Sequence, residues 1–246
     1  MKAIVFAAGL GTRLKPFTEH HPKALVEVNG VPMLARTVKR LVNSGITDIV
    51  VNVHHFAEQI ISYLEANDNF GANIVISNES DLLLDTGGGI RKAAEYLSGD
   101  EPFVACNADI LTDLPIKDMI SSYNESGADV TLLTKHRNTS RYLYFNEDFN
   151  RLVGWVNKKN GDKKPSDFVP DSTMEELAFG GYHIISQKAL GLLCDMPSGV
   201  PFGIIPWYLE NMSILDIKAY CPEKKYQWFD IGSPETLANA IVSFTE

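Results

Sequence analysis

Cysteine is scarce in this sequence: Cys106, Cys194 and Cys221 are the only three in 246 residues. They are too few and too scattered for a disulfide framework or a zinc cluster, which fits a reducing compartment and predicts buried, inert thiols. Basic charge is also short. Against 31 Asp and Glu stand 22 Lys and Arg, a net charge of −9, and a chain without a broad basic face lacks the field that a nucleic acid or an anionic membrane requires. No apolar run approaches the length needed to span a bilayer. The N-terminus runs straight into an apolar stretch without the charged and apolar regions of a secretory signal, so a soluble cytoplasmic protein is expected. The hexapeptide periodicity of a β-helical solenoid is missing as well.

What is present is enough apolar residue, 45% of the chain, to bury one substantial core. Strand-like runs at 3–6, 48–53, 73–77, 103–105 and 130–133 alternate with helical patterns at about 33–44, 57–67, 88–97 and 116–126. That alternation predicts βαβ units: a single-domain, Rossmann-like three-layer α/β/α sandwich around a mainly parallel mixed sheet. From about residue 136 the pattern changes to short strands at 142–145, 152–156 and 181–185. The lysine-rich segment 158–165 reads as a solvated turn rather than an anion-gathering lid. No composition shift marks a linker, so 1–246 is read as one domain, with a first half to about 135 and a second from 136.

The most informative stretch is Ala7-Ala8-Gly9-Leu10-Gly11-Thr12-Arg13-Leu14-Lys15-Pro16, followed by Pro22-Lys23-Ala24-Leu25. It comes directly after the first predicted strand, at the carboxyl edge where open α/β sheets bind ligands. Gly9 and Gly11 let backbone N–H groups approach an anion, and Arg13 and Lys23 add positive charge to the same rim, together a cradle for a triphosphate. A Walker A loop would need Lys-Ser/Thr after Gly11, where Thr12-Arg13 stands; a dinucleotide fingerprint would need a small residue in place of Leu14.

Asp109, in Asn107-Ala108-Asp109 after a buried strand, is expected at the same edge, a placement suited to Mg²⁺; the competing reading is a turn cap. Asp230 precedes Ser233-Pro234-Glu235, which already supplies a helix start, so its carboxylate is left free for another task. His54 and His55, adjacent in sequence, point to opposite faces and do not share a metal.

Together with Leu84-Asp85-Thr86-Gly87-Gly88-Gly89, Phe179-Gly180-Gly181-Tyr182 and Trp228-Phe229-Asp230-Ile231-Gly232, these motifs resemble the sugar-1-phosphate nucleotidyltransferases along nearly the whole chain, most closely the short single-domain type. The resemblance implies Mg²⁺-dependent transfer of a nucleoside monophosphate from a triphosphate to a sugar 1-phosphate in the building of nucleotide sugars, for example for cell wall. It implies catalytic roles for Arg13, Lys23 and Asp109, and metal ligation by Asp109 and Asp230. Nucleotide contacts would come from Ala8, Gly9, Gly11, Thr12, Glu79, Thr86, Gly87 and Gly88, with Asn78 a weaker candidate, and sugar contacts from Asn107, Gly180 and Gly181. Trp155, Trp207 and Trp228 are candidates for stacking on a sugar ring or for the core. A narrow turn at Thr86-Gly87, reading a pyrimidine through backbone groups, favours UTP. Alternatives are guanylyl transfer to mannose or heptose 1-phosphate, with Glu79 or Asp85 accepting from the guanine amine, cytidylyl transfer to phosphocholine, and a nucleotide-sensing regulatory subunit.

Overall fold

The computed structural model describes residues 1–147 and 150–245. Its strands are β1 (Lys2–Phe6), β2 (Glu27–Val28), β3 (Val31–Pro32), β4 (Asp48–Val53), β5 (Asn73–Asn78), β6 (Phe103–Asn107), β7 (Ile110–Thr112), β8 (Val130–Lys135), β9 (Arg141–Asn146), β10 (Leu152–Asn157), β11 (Lys163–Lys164), β12 (Met174–Ile185), β13 (Ile217–Tyr220) and β14 (Trp228–Asp230). Its helices are α1 (Met33–Asn43), α2 (Ala57–Ala66), α3 (Asp85–Lys92), α4 (Ala94–Leu97), α5 (Ile116–Ser126), α6 (Gln187–Cys194), α7 (Ile204–Asn211) and α8 (Pro234–Ser243). The alternating segments of the first half thus fold as their periodicity predicts.

Successive side chains of a strand face opposite ways, and β1 shows how this builds three layers. Ala3 and Val5 join Val51, Val104 and Cys106 in a cluster covered by Leu34 and Val38 of α1, Ile60 and Leu64 of α2 and Met119 of α5. Ile4, between them, packs the other way with Val50, Phe103 and Ala105 against Ile90 of α3, Leu190 of α6 and Trp207 of α7. Each central strand is therefore apolar on both faces, as a sheet buried between two helical layers requires.

The main sheet has ten strands in the order β11-β10-β9-β12-β6-β1-β4-β5, with β8 and β13 continuing from β12. β6, β1, β4 and β5 are parallel to one another. β12 reverses the direction: its last residues pair antiparallel with both β6 and β8, while its first residues pair with β9. A twelve-residue strand was not expected from a pattern visible only over 181–185. Its regularity is broken at Phe179-Gly180-Gly181, where the β8 register shifts between Phe179 and His183. Gly181 has φ +84, and a Cβ there would lie 2.6 Å from the Ile110 side chain. Gly180 is equally confined by Leu133, 2.6 Å from its own would-be Cβ. These glycines let a sheet strand bend beside β7.

Two antiparallel pairs lie outside the main sheet. One, β7 with β14, joins positions more than a hundred residues apart. A separate apolar cluster of Leu14, Val28, Met33, Leu111, Ile231, Leu237 and Phe244 packs this pair and α8 under the segment that carries Arg13. Helix α8 starts with Ser233 and Thr236 in a reciprocal capping box and Pro234 in its first turn, the start signal visible in the sequence.

Replacing Gly181 with Ala is expected to destabilise the protein by roughly 2 kcal/mol or more, because a positive φ and a crowded Cβ act together. Urea unfolding measures this; Gly191→Ala, in a helix with nothing within 4 Å of its would-be Cβ, should leave the midpoint unchanged or raise it slightly.

Candidate active site

The carboxyl ends of β1, β4 and β6 open onto a cavity of about 450 Å³ lined by Ala7, Ala8, Gly9, Lys23, Glu79, Asp85, Thr86, Asn107 and Asp109, among others. A second cavity, of about 560 Å³, is lined by Asn107, Arg137, Arg141, Trp155, Lys164, Phe179, Gly181, Trp228 and Asp230, with others. Asn107 belongs to both. The candidate metal acids stand at this junction, Asp109 on the first cavity and Asp230 on the second.

Pairing of β7 with β14 brings these acids together. Asp230 stands opposite Ile110, and the Ile231 N–H donates to the Asp109 carbonyl oxygen at 3.1 Å. Asp109 accepts from the Lys23 ammonium in a direct ion pair. Among the described residues Asp230 has no ion-pair partner, and its buried Oδ1 has no hydrogen-bond partner, although the Gly232 backbone beside it favours the charged form. Burial and then the neighbouring Asp109 charge push its carboxyl above the usual aspartate range, with Lys23 and Arg13 pulling the other way. A buried oxygen without a donor, within the electrostatic reach of a second carboxylate, is a donor set suited to a hard divalent cation.

The segment from Gly9 to Lys23, expected to cradle a triphosphate, places its two cations apart. Gly11 has φ +64 and packs so closely on Thr18 and Lys23 that a Cβ would meet Thr18 at 2.9 Å; its carbonyl accepts from Thr18 Oγ1 at 2.7 Å. Thr12 is exposed. Lys23 enters the first cavity, whereas Arg13 lines a smaller one of about 330 Å³ with Arg137, Asp230 and Gly232. The two cations thus do not share one rim as expected; both converge electrostatically on Asp230. A side chain at Gly232 would crowd Asp230 Oδ1 at 2.8 Å and Arg13 Nη2 at 3.2 Å.

The glycine turn after β5 is also used differently from its sequence reading. The N–H groups of Gly87 and Gly88 both donate to the Phe202 carbonyl, at 2.9 and 3.2 Å. Thr86 N–H donates to Asp85 Oδ1 at 2.6 Å, and the Ile204 N–H donates to Thr86 Oγ1 at 2.9 Å. A Cβ on Gly87 would fall 2.3 Å from the Phe202 ring. Consecutive glycines here admit another stretch of this chain, so the backbone donors assigned to a base are already engaged. Thr86 still lines the cavity. So do two acceptors, Glu79 and Asp85. Glu79 is buried, with Oε1 accepting from Asn52 at 2.9 Å and Oε2 from the Leu84 N–H at 3.0 Å. Asp85 is exposed, at φ +60, with one oxygen committed to Thr86.

Other sequence candidates separate clearly. Asn78 is exposed and accepts from Ser80. Trp155 and Trp228 line the second cavity, while Trp207 is in the core. Gly181 lines that cavity; Gly180 supports it through its carbonyl, which accepts from Trp228 Nε1 at 2.8 Å. His54 Nδ1 lies 2.6 Å from the Glu79 carbonyl, a structural contact. Cys106 is fully buried, its thiol pushed up to about 12, and is inert. Lys164, Arg137 and Arg141 were missed as cavity residues. The lysines of the 158–165 run are exposed, as a solvated segment requires, and the pairing of β11 with β10 also sets Lys164 along the second cavity.

Because the folded protein holds the proton of Asp230 more tightly than the unfolded chain, this residue destabilises the fold at neutral pH and less so as pH falls toward the ordinary aspartate value. Asp230→Asn is therefore expected to raise the melting temperature in metal-free buffer at pH 7 by a few degrees, the scale on which about 1 kcal/mol shows in a chain of this length. The gain should shrink as pH falls toward the ordinary aspartate value. Differential scanning calorimetry across that range checks both sign and slope.

The sequence profile of the Nucleotidyl transferase family matches residues 2–246. Over 245 residues the chain is 27% identical to the mannose-1-phosphate guanylyltransferase catalytic subunit beta of Dictyostelium discoideum, covering 98% of this chain and 64% of that protein. Over 252 residues it is 27% identical to the mannose-1-phosphate guanyltransferase of Saccharomyces cerevisiae, covering 99% and 64%. It thus spans about two thirds, or slightly less, of the length of these relatives. In fold it is similar to HddC from Yersinia pseudotuberculosis solved with GMP-PN, with TM-score 0.75, 23% identity and 99% of both chains covered. A UDP-glucose pyrophosphorylase solved with UDP-glucose gives TM-score 0.76 at 20% identity, over 98% of this chain and 97% of that one. By the match of its whole length to the family profile, the chain belongs to the Nucleotidyl transferase family.

Proposed function

We propose that this protein transfers a nucleoside monophosphate to a sugar 1-phosphate, and that its preferred donor is GTP with a mannose- or heptose-type 1-phosphate as acceptor. The observation that carries the first part is the pair of cavities meeting at Asn107, Asp109 and Asp230. One has the glycine loop and Lys23; the other has aromatic walls and three basic side chains, a lining that fits a phosphorylated sugar.

In this reading a phosphate oxygen of the sugar 1-phosphate attacks the α-phosphorus of the nucleotide. The bond from that phosphorus to the bridging oxygen breaks, and pyrophosphate leaves with the electron pair. The attacking phosphate is largely dianionic near neutral pH, with a second pKa of about 6, so no general base is required. The chain's task is positioning and charge neutralisation. Lys23 and the Gly9–Gly11 loop would hold the triphosphate. Asp109 and Asp230 would hold Mg²⁺, which when bound supplies positive charge against the reacting phosphates. Arg13, beside Asp230 and Gly232, would stabilise negative charge that builds during transfer.

The guanine preference has two supports. The curated relatives named above are mannose-1-phosphate guanylyltransferases. The uridine preference expected from the Thr86–Gly87 turn relied on backbone donors that Phe202 uses, leaving a wall with acceptors. Guanine presents N–H groups at N1 and its exocyclic amine, and Asp85, with one uncommitted oxygen, matches them. A phosphocholine acceptor is disfavoured, because Arg137, Arg141 and Lys164 line the acceptor cavity and repel a quaternary cation.

With equal GTP, UTP, CTP, ATP and dTTP and mannose 1-phosphate, kcat/KM should be highest for GTP; a higher value for UTP rejects the base assignment and leaves nucleotidyl transfer standing. Asp85→Asn should cut the GTP-to-UTP preference by about tenfold or more, the worth of one charge-assisted hydrogen bond.

Asp109→Asn and Asp230→Asn should each lower pyrophosphate release by at least about a hundredfold without loss of folded protein. Lys23→Ala should reduce kcat as well as nucleotide affinity; a change confined to the nucleotide KM would make it a uniform-binding residue.

A further inference from the structure

Of the three basic side chains on the second cavity, Arg137 has the most constrained surroundings. It follows β8 in a short polar segment, yet its guanidinium is drawn inward over the Trp228 indole, with Cζ 4.7 Å from the ring centroid. One hydrogen bond holds it, from Nη2 to the Phe179 carbonyl at 3.3 Å. Its Nε is buried and has no partner among the described residues. Lys135 approaches the same indole at 5.5 Å, so a second cation repels the first. Burial holds the guanidinium below its ordinary range, with Asp230 the largest influence acting the other way. A guanidinium remains charged even so, and it has five N–H donors to satisfy. Partly desolvated, with one long hydrogen bond and no carboxylate within ion-pair distance among the described residues, it costs stability unless an anion completes it.

The platform is itself fixed. Trp228 Nε1 donates to the Gly180 carbonyl at 2.8 Å, which sets the plane of the indole. Trp228 and Asp230 are two apart on β14 and so face the same side. Arg137 lines both the acceptor cavity and the smaller cavity where Arg13 meets Asp230. The other basic residues of the acceptor cavity are less suited to the reacting end. Arg141 is exposed, and Lys164 has its ammonium 3.7 Å from Glu210.

We propose that Arg137, stacked on Trp228, binds the phosphate of the incoming sugar 1-phosphate and orients it toward the junction at Asp230. This assignment rests on the reading of the site as a sugar-1-phosphate nucleotidyltransferase. It makes Trp228 a positioning residue, which acts by holding the guanidinium plane rather than by touching the phosphate. A fork of donors on a dianion restricts both its place and its rotation, so the interaction bears on the acceptor far more than on the nucleotide.

The test is steady-state pyrophosphate release with each substrate varied in turn, together with calorimetric titration of mannose 1-phosphate, for wild type, Arg137→Ala, Arg137→Lys and Trp228→Phe. Expected are a fall of about a hundredfold in kcat/KM for the sugar phosphate in Arg137→Ala, less than threefold change in the KM for the nucleotide, and partial recovery on adding guanidinium ion. Arg137→Lys should keep the charge but recover only part of the activity, since an ammonium cannot reproduce the planar fork; Trp228→Phe should lose less than Arg137→Ala. If Arg137→Ala does not fold, the Arg137→Lys comparison decides the matter by the same split between acceptor and nucleotide parameters. Equal losses toward both substrates without guanidinium rescue, or kcat/KM for the acceptor within threefold of wild type, overturn the assignment. A wild type that binds mannose 1-phosphate but turns over no nucleotide would instead overturn the reading of the site, with Arg137 then judged by whether its replacement by alanine abolishes that binding.

Discussion

The pairing of β7 with β14 brings two carboxylates, Asp109 and Asp230, within reach of each other's charge, and the surrounding side chains are arranged around that conflict. A long-range backbone hydrogen bond from the Ile231 N–H to the Asp109 carbonyl, together with the β7–β14 ladder, imposes that proximity. What it leaves unresolved is charge. Lys23 covers Asp109, and among the described residues no donor pairs with Asp230 Oδ1. Arg13 and Arg137 stand near enough to pull on Asp230 without pairing with it. Such an arrangement stores unfavourable electrostatics, a pattern that marks candidate functional sites.

The same trade governs the glycine turn. Gly87 and Gly88 sit under the 197–203 segment, and the Phe202 carbonyl takes both of their N–H groups. This contact links the first cavity to α7: Ile204, at the start of that helix, bonds to Thr86 Oγ1. Helix α7 also contributes Ile205, Pro206 and Leu209 to the second cavity. Both cavities are therefore fastened to one short helix, so any shift of the 197–203 segment is felt at each. Glu79 reinforces the arrangement from below. Its carboxylate ties Asn52, at the end of β4, to the Leu84 backbone.

Much of this was legible because it is local. The parallel strands announce themselves as β-branched apolar runs, the helix α8 by its capping residues, and the cavity positions of the Gly9 loop and Asp109 by where they follow strands. Asp230 was legible by elimination, since Ser233, Pro234 and Glu235 supplied the helix start without it. What could not be read depends on contacts far apart in sequence. Nothing near Gly87 says that Phe202 will lie on it, and nothing near Lys164 says that β10 will turn a lysine of a polar run into a cavity wall. Arg137 was invisible for the same reason. Its environment consists of Trp228, Phe179 and Asp230, two of which are separated from it by about ninety residues.

One signal could have found it. Trp228 was weighed as a sugar-stacking residue or a core residue, and the structure makes it neither alone: its indole N–H is spent on Gly180, and one face carries a cation. A tryptophan two residues from an unpaired acid on a strand is a platform with charge beside it, and such a platform attracts arginine more than lysine because a planar guanidinium stacks and still presents donors at its edge. Near Asp230 the protein thus gathers cations without neutralising the acid, keeping opposite charges close but apart. Collapsing them into a direct ion pair would make a more stable protein and close the space between them, so the open arrangement is a stability cost built into this part of the fold.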